Sequence, residues 1–122
     1  MSIALIVGVG DGLSASLARQ LAARGHHLVL AARETDKLAD LEAETGATTA
    51  TCYAADPAAV SRLFEQVDGI DDDLAVAIYN PSARVRGPLV DLDPAEVRRA
   101  LDVTAYGAFL VAQAAARRML AQ

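Results

Sequence analysis

The residues of this chain best placed to do chemistry stand near its start, where Gly8-Val9-Gly10-Asp11-Gly12 joins an apolar run, Ile3 to Val7, to a helical pattern beginning at Leu13. Glycine permits backbone angles closed to other residues and lets a phosphate approach the amides, while a helix start offers unpaired N–H groups and partial positive charge. Gly8, Gly10, Asp11, Gly12 and Leu13 are therefore candidate contacts for the pyrophosphate of a nucleotide cofactor. The Gly-x-Gly-x-x-Gly spacing fails, because its third glycine falls on Leu13. The spacing Gly-x-x-x-Gly-x-Gly fits better, with Gly8, Gly12 and Ser14 in the place of the last glycine.

A second candidate is Arg33, which follows the apolar run Leu28 to Ala32. Dinucleotide sites that favour NAD place an acid at this point to hold the ribose 2′-OH. An arginine suits the 2′-phosphate of NADP instead, through a charge-assisted bond whose loss costs about 1.5 to 3 kcal/mol. The plain alternative is a solvated loop arginine ahead of a helix. With the glycine turn upstream, the reading favours NADP over NAD.

These residues need strands and helices to position them, and the chain alternates the two. Leu13, Leu17 and Leu21, with Ala18 and Ala22, form a helical stripe that Gly25 can end. A second strand spans Leu28 to Ala32. The next helix starts near Thr35 or Asp36, turns Leu38 and Leu41 inward and stops at Gly46, and a third strand covers Thr48 to Ala55. Asp56-Pro57 supplies a cap and a first-turn proline for a helix that buries Val60, Leu63, Phe64 and Val67. After the acidic loop Asp68 to Asp73, Leu74 to Tyr79 reads as a strand covered on both faces. Asp93-Pro94-Ala95-Glu96 opens a helix running almost to Gln122. Four strands joined by helical crossovers predict a three-layer αβα fold of Rossmann type, with a four-stranded parallel sheet of order 3-2-1-4. Residues 1–122 read as one domain, large enough to bury about two thirds of the surface of the unfolded chain.

Composition removes other classes. A net charge of −5 with scattered arginines argues against a nucleic-acid surface. The first apolar run is too short for a signal peptide or membrane span. Cys52, the single cysteine, excludes a disulfide framework and makes a reducing cytoplasm the default setting. His26 and His27 read as surface imidazoles, Arg84 and Arg86 as loop arginines, and Arg117 and Arg118 as partners of the last helix dipole.

With its glycine turn, the chain resembles the N-terminal part of the short-chain dehydrogenase/reductase family along its whole length. The resemblance implies that Asp56, after the third strand, contacts the adenine amino group, a role compatible with capping a helix. Asn80-Pro81-Ser82-Ala83 is similar to the family's Asn-Asn-Ala-Gly segment at its first asparagine, which implies that Asn80, Pro81 and Ser82 wall the cofactor ribose. Thr104 stands where the family has an asparagine supporting a proton-relay water, and it reads as a helix-packing threonine. The family's chemistry, hydride transfer between a nicotinamide and a carbonyl or alcohol, uses a serine and a Tyr-x-x-x-Lys pair. Here Tyr53, Tyr79 and Tyr106 are followed four residues on by Pro57, Ala83 and Leu110, and the only lysine is Lys37.

The resemblance thus implies a cofactor-binding half, truncated before the catalytic half and catalytically incomplete alone. An unpaired fourth-strand edge and an uncovered face of Val111, Ala115 and Leu120 would favour self-association. Two other classes stay open. An S-adenosylmethionine methyltransferase would want acids where Ile6-Val7 and Ala32-Arg33 stand, and a noncatalytic nucleotide-binding module would keep only the cofactor wall.

Overall fold

Ile3–Val7 forms β1, and all five residues are buried because the strand has a core on each side. Ile3, Leu5 and Val7 enter one core, and Ala4 and Ile6 the other, the two-residue alternation of a pleated strand. The computed structural model describes all 122 residues. His27–Ala32 (β2), Thr48–Thr51 (β3) and Leu74–Tyr79 (β4) complete a parallel sheet of order β3-β2-β1-β4. The sheet order is the predicted one.

Leu13–Ala23 (α1) and Ala39–Thr45 (α2), the latter entered through a 3₁₀ turn at Asp36–Leu38, cover one face of the sheet. Gly46 ends α2 in the left-handed conformation at φ 68°. Pro57–Asp68 (α3) and Gly107–Ala121 (α5) cover the other face, and Pro94–Leu101 (α4) leads into α5. The predicted caps form: Asp56 accepts from the Ala58 N–H at 3.0 Å and Asp93 from the Ala95 N–H at 3.1 Å. No helix is long and apolar enough to cross a membrane.

Five local expectations change. The buried stripe of α1 is shifted: Ala18 is buried as expected and Leu17 and Leu21 are half-buried, but Leu13 is 65% exposed, and small Ser14 and Ala15 lie against the sheet instead. Small side chains let the helix sit close to the strands, and Leu17 and Leu21 then flank the contact. The third strand stops at Thr51 rather than Ala55, since its neighbour β2 ends at Ala32 and the Cys52 N–H makes a last bond to the Ala32 carbonyl at 2.9 Å. The fourth strand is covered on both faces only in part: Val76 and Ile78 meet one core and Ala77 and Tyr79 the other, each half-buried. Only Leu74 is fully buried, because β4 is the sheet edge and the register slips beside Ile3, leaving Ala75 exposed.

The long C-terminal helix is interrupted by a wide π-helical turn at Asp102–Tyr106. The turn sits where the Tyr79 hydroxyl donates to the Val103 carbonyl. Finally, Val111 and Ala115 are not uncovered: at 2% and 3% exposure they pack on the sheet. The outward apolar residues of this region are Leu101, Tyr106, Phe109, Met119 and Leu120. The chain exposes 7247 Å², against about 6,200 Å² for a closed monomer of this mass.

Arg118 does more than complement a helix end. Its guanidinium grips both Asp68 oxygens at 2.7 Å, lies 4.7 Å from the centre of the Phe64 ring and donates to the Ala114 carbonyl at 3.0 Å. This clamps α5 to α3. The hydrogen bond from Arg118 holds the Asp68 carboxyl below its ordinary value. The pair's contribution is therefore complete above the ordinary carboxylate range and disappears as pH falls through the lowered value. Arg118→Ala is expected to destabilise the chain by about 1 kcal/mol at neutral pH, since the pair is partly solvated. Thermal melts of both proteins from pH 7 to pH 3 check this, and the gap should narrow on acidification. A constant gap would assign the loss to packing on Phe64 alone.

Candidate functional site

The carboxyl ends of all four strands are laced together, and that lacing builds the site. The Gly8 and Val9 N–H groups donate to the Ala31 carbonyl at 2.9 and 3.2 Å, which clips the glycine turn onto the end of β2. The Asn80 N–H donates to the Val7 carbonyl at 2.9 Å, carrying the chain out of β4 beside that turn. Gly8 has φ +88°, and Pro81 sits where a side chain on Gly8 would be. Buried Ser14 joins the pieces: its hydroxyl donates to the Gly8 carbonyl at 3.2 Å and accepts from Asn80 Nδ2 at 2.8 Å.

Below this knot opens a cleft of about 450 Å³. Gly8, Gly10, Arg33, Asn80, Pro81 and Ser82 wall it, so six of the candidates from sequence come together. Asp11, Gly12 and Leu13 stand outside the walls, exposed at the start of α1, and Asp56 stands outside them capping α3. The start of α1 has neither a side-chain cap nor an acid in its first turn, so its leading amides keep their capacity for an anion.

Other wall residues escaped the sequence reading. Cys52, Tyr53 and Ala54 follow β3 directly, where the rule that ligands bind beyond the carboxyl ends of strands would have found them. Glu34, Lys37, Arg99 and Val103 also contribute, and the last two come from α4 and the π turn with no local signal. Thr104 ties that turn to the cleft: its hydroxyl accepts from the Ala83 N–H and donates to the Ala83 carbonyl, both at 3.2 Å. It is thus a strut for the loop after β4 rather than a residue packed against helices.

The electrostatics are one-sided. Four of the chain's eleven cationic side chains line the cleft, Arg33, Lys37, Arg84 and Arg99, but only one of its sixteen acids, Glu34. Arg33 has no acidic partner, and Lys37 and Arg99 hold loose ion pairs at 3.6 and 3.9 Å. The cleft is a cationic site on an anionic chain. Burial pushes the Cys52 thiol and the Tyr79 phenol up from their ordinary values, so both stay protonated near neutrality. His26 and His27 are half-buried at the opposite end of the sheet, bonded to Ser2 Oγ at 2.9 Å and Thr48 Oγ1 at 3.0 Å. No group of three or more His, Cys, Asp or Glu side chains is placed to hold a metal ion.

An open parallel sheet with helices on both faces, a glycine turn after its first strand and a cleft at the carboxyl ends defines the Rossmann class of nucleotide-binding folds. The sequence profile of the short chain dehydrogenase family matches residues 2–122, and the chain belongs to that family. The bovine dehydrogenase/reductase SDR family member 7B is 27% identical over 117 residues, which cover 87% of this chain and 36% of that protein. An uncharacterized oxidoreductase of Mycobacterium tuberculosis is 52% identical over 40 residues, 33% of this chain and 16% of that protein. The crystal structure of a metagenomic short-chain oxidoreductase in complex with NADP superposes with a TM-score of 0.92 at 27% identity, covering 98% of this chain and 57% of that one. The chain therefore spans a little over half the length of that structure and about a third of the bovine relative.

Proposed function

We infer that residues 1–122 are a single NADP-binding unit of a short-chain dehydrogenase/reductase, and Arg33 is the observation that carries the preference for NADP. It stands on the cleft wall at the end of β2 without a carboxylate partner, where a 2′-phosphate would complete it. The rest of the cleft fits the same group. Gly8 leaves no room for a side chain, the amides opening α1 have no competing acid, and the cationic lining suits a ligand with several negative charges. In this reading the glycine turn, Asp11 and Leu13 take the pyrophosphate, Arg33 the 2′-phosphate, and Asn80, Pro81 and Ser82 the ribose. Asp56 reaches the adenine with the carboxylate oxygen that does not cap α3. The nicotinamide would supply the hydride exchanged with a carbonyl or alcohol.

No tyrosine in the chain is followed four residues on by lysine, which favours a unit that binds the cofactor and performs no hydride transfer alone. Calorimetric titration with NADPH, NADH and S-adenosylmethionine, on the chain and on Arg33→Ala, tests the assignment. NADPH is expected to bind more tightly than NADH, and Arg33→Ala to weaken NADPH at least about tenfold with little change for NADH. Equal losses for both nucleotides would remove Arg33 from phosphate recognition. Binding of S-adenosylmethionine alone would overturn the family chemistry for this chain.

A further inference from the structure

Lys37 is the only lysine in the chain, and it lines the cleft beside Arg33 and Glu34. Its backbone has little freedom, because it lies in the 3₁₀ turn Asp36–Leu38 and the adjacent Leu38 is anchored at 2% exposure in the core under α1 and α2. Only its four-carbon arm can swing. The ammonium now rests 3.6 Å from a Glu34 oxygen, with both side chains mostly in water. An ion pair so exposed holds weakly and yields to a stronger anion.

The segment after β2 therefore brings to the cleft one unpaired cation, one loosely tethered cation and one carboxylate. A phosphate monoester brings close to two negative charges, enough to engage both cations. A ribose hydroxyl brings none and gains most from an acceptor, which only Glu34 offers as a charge here. We propose that Lys37 is a second ligand for the 2′-phosphate and that Glu34 competes with it. The Glu34–Lys37 pair then sets how strongly the cleft prefers a 2′-phosphorylated adenosine over an unphosphorylated one. The proposal rests on the reading of the cleft as a dinucleotide site with Arg33 at the phosphate.

Adenosine 2′,5′-bisphosphate and adenosine 5′-monophosphate test it, because they differ only in the group at issue and need no nicotinamide chemistry. Both would be titrated calorimetrically into the chain and into Arg33→Ala, Lys37→Gln, Glu34→Gln and the double variant Glu34→Gln/Lys37→Gln. These side chains are exposed, so all variants should melt with the parent. Lys37→Gln is expected to weaken the bisphosphate about three- to tenfold and leave the monophosphate unchanged, as one charge contact in water allows. Glu34→Gln should tighten the bisphosphate and weaken the monophosphate, and most of that tightening should vanish in the double variant. If Arg33→Ala discriminates between the two ligands while the Lys37 and Glu34 variants do not, the pair has no part in selection and the inference falls alone. If the chain binds neither ligand, or Arg33→Ala fails to discriminate, the dinucleotide reading falls and this inference with it.

Discussion

Gly8→Ala is expected to lower the melting temperature of this chain by about ten degrees or more and to abolish nucleotide binding together with stability. Two costs combine at one position. At φ +88° an L side chain is strained by about 1–2 kcal/mol. The new methyl would also lie 2.6 Å from the Pro81 nitrogen and 2.7 Å from its Cδ, and the nitrogen belongs to backbone. Overpacking against a rigid neighbour costs about 1–3 kcal/mol more. A total of about 3 kcal/mol is a large share of the 5–15 kcal/mol typical of a domain, and each kcal/mol shifts the midpoint by about 4 °C at this size. Circular dichroism melts measure the loss. Gly10→Ala is the control, since Gly10 has no positive φ and its added methyl would meet nothing within 4 Å. A Gly8→Ala protein melting with the parent would mean that the loop after β4 can lift Pro81 away without cost.

The second large effect is expected at Gly107, the first residue of α5. A methyl there would collide with the Tyr79 hydroxyl and approach the Ala54 carbonyl oxygen to 2.9 Å. Neither neighbour is free to move, since the Tyr79 hydroxyl donates to the Val103 carbonyl and Ala54 is nearly buried in the core. Gly107→Ala should therefore destabilise by about 2–3 kcal/mol. Tyr79→Phe removes one of the two obstacles and itself gives up a hydrogen bond worth about 1 kcal/mol. The two changes share a contact, so their effects should not add. Melts of the parent, both single variants and the double variant check this, with the double variant expected to lose less than the combined single losses. Strict additivity would place the strain at Ala54 and leave Tyr79 out of it.

The two glycines differ in how they could be read from sequence. Gly8 follows an apolar strand and opens a glycine-rich turn, a local pattern with a known use. Gly107 sits within an unbroken helical periodicity, and nothing near it announces the wide turn before it or the close approach to Ala54. The same division runs through the fold. Strands β1, β2 and β4 and the Asp-Pro helix starts were legible, because apolar runs and caps are properties of neighbouring residues. The stop of β3 at Thr51 was not, because the apolar run continues to Ala55 and the end is set by where β2 runs out. The inward turn of Val111 and Ala115 was missed for a similar reason: small apolar side chains on a mostly apolar helix do not choose a face by themselves. In the cleft, Gly8, Gly10, Arg33 and Asn80 belong to segments that leave strands. Arg99 and Val103 reach it only through the folding back of α4 and the π turn, a tertiary event without a local signature.

The sheet order has a kinetic consequence. β1 is the first strand made, yet it lies in the middle, paired with β2 on one side and with β4 on the other, where Ile3 meets Leu74. During synthesis the β1–β2 pair can form early. Its second flank stays open until the whole α3 region and β4 have been made, and that flank is a row of unpaired amides on an entirely apolar strand. Parallel pairings between segments so distant in sequence close slowly, and the open edge is available to other nascent chains in the meantime. The strand that carries the glycine turn is thus also the strand that waits longest for its last neighbour, so the nucleotide cleft can be completed only late in folding.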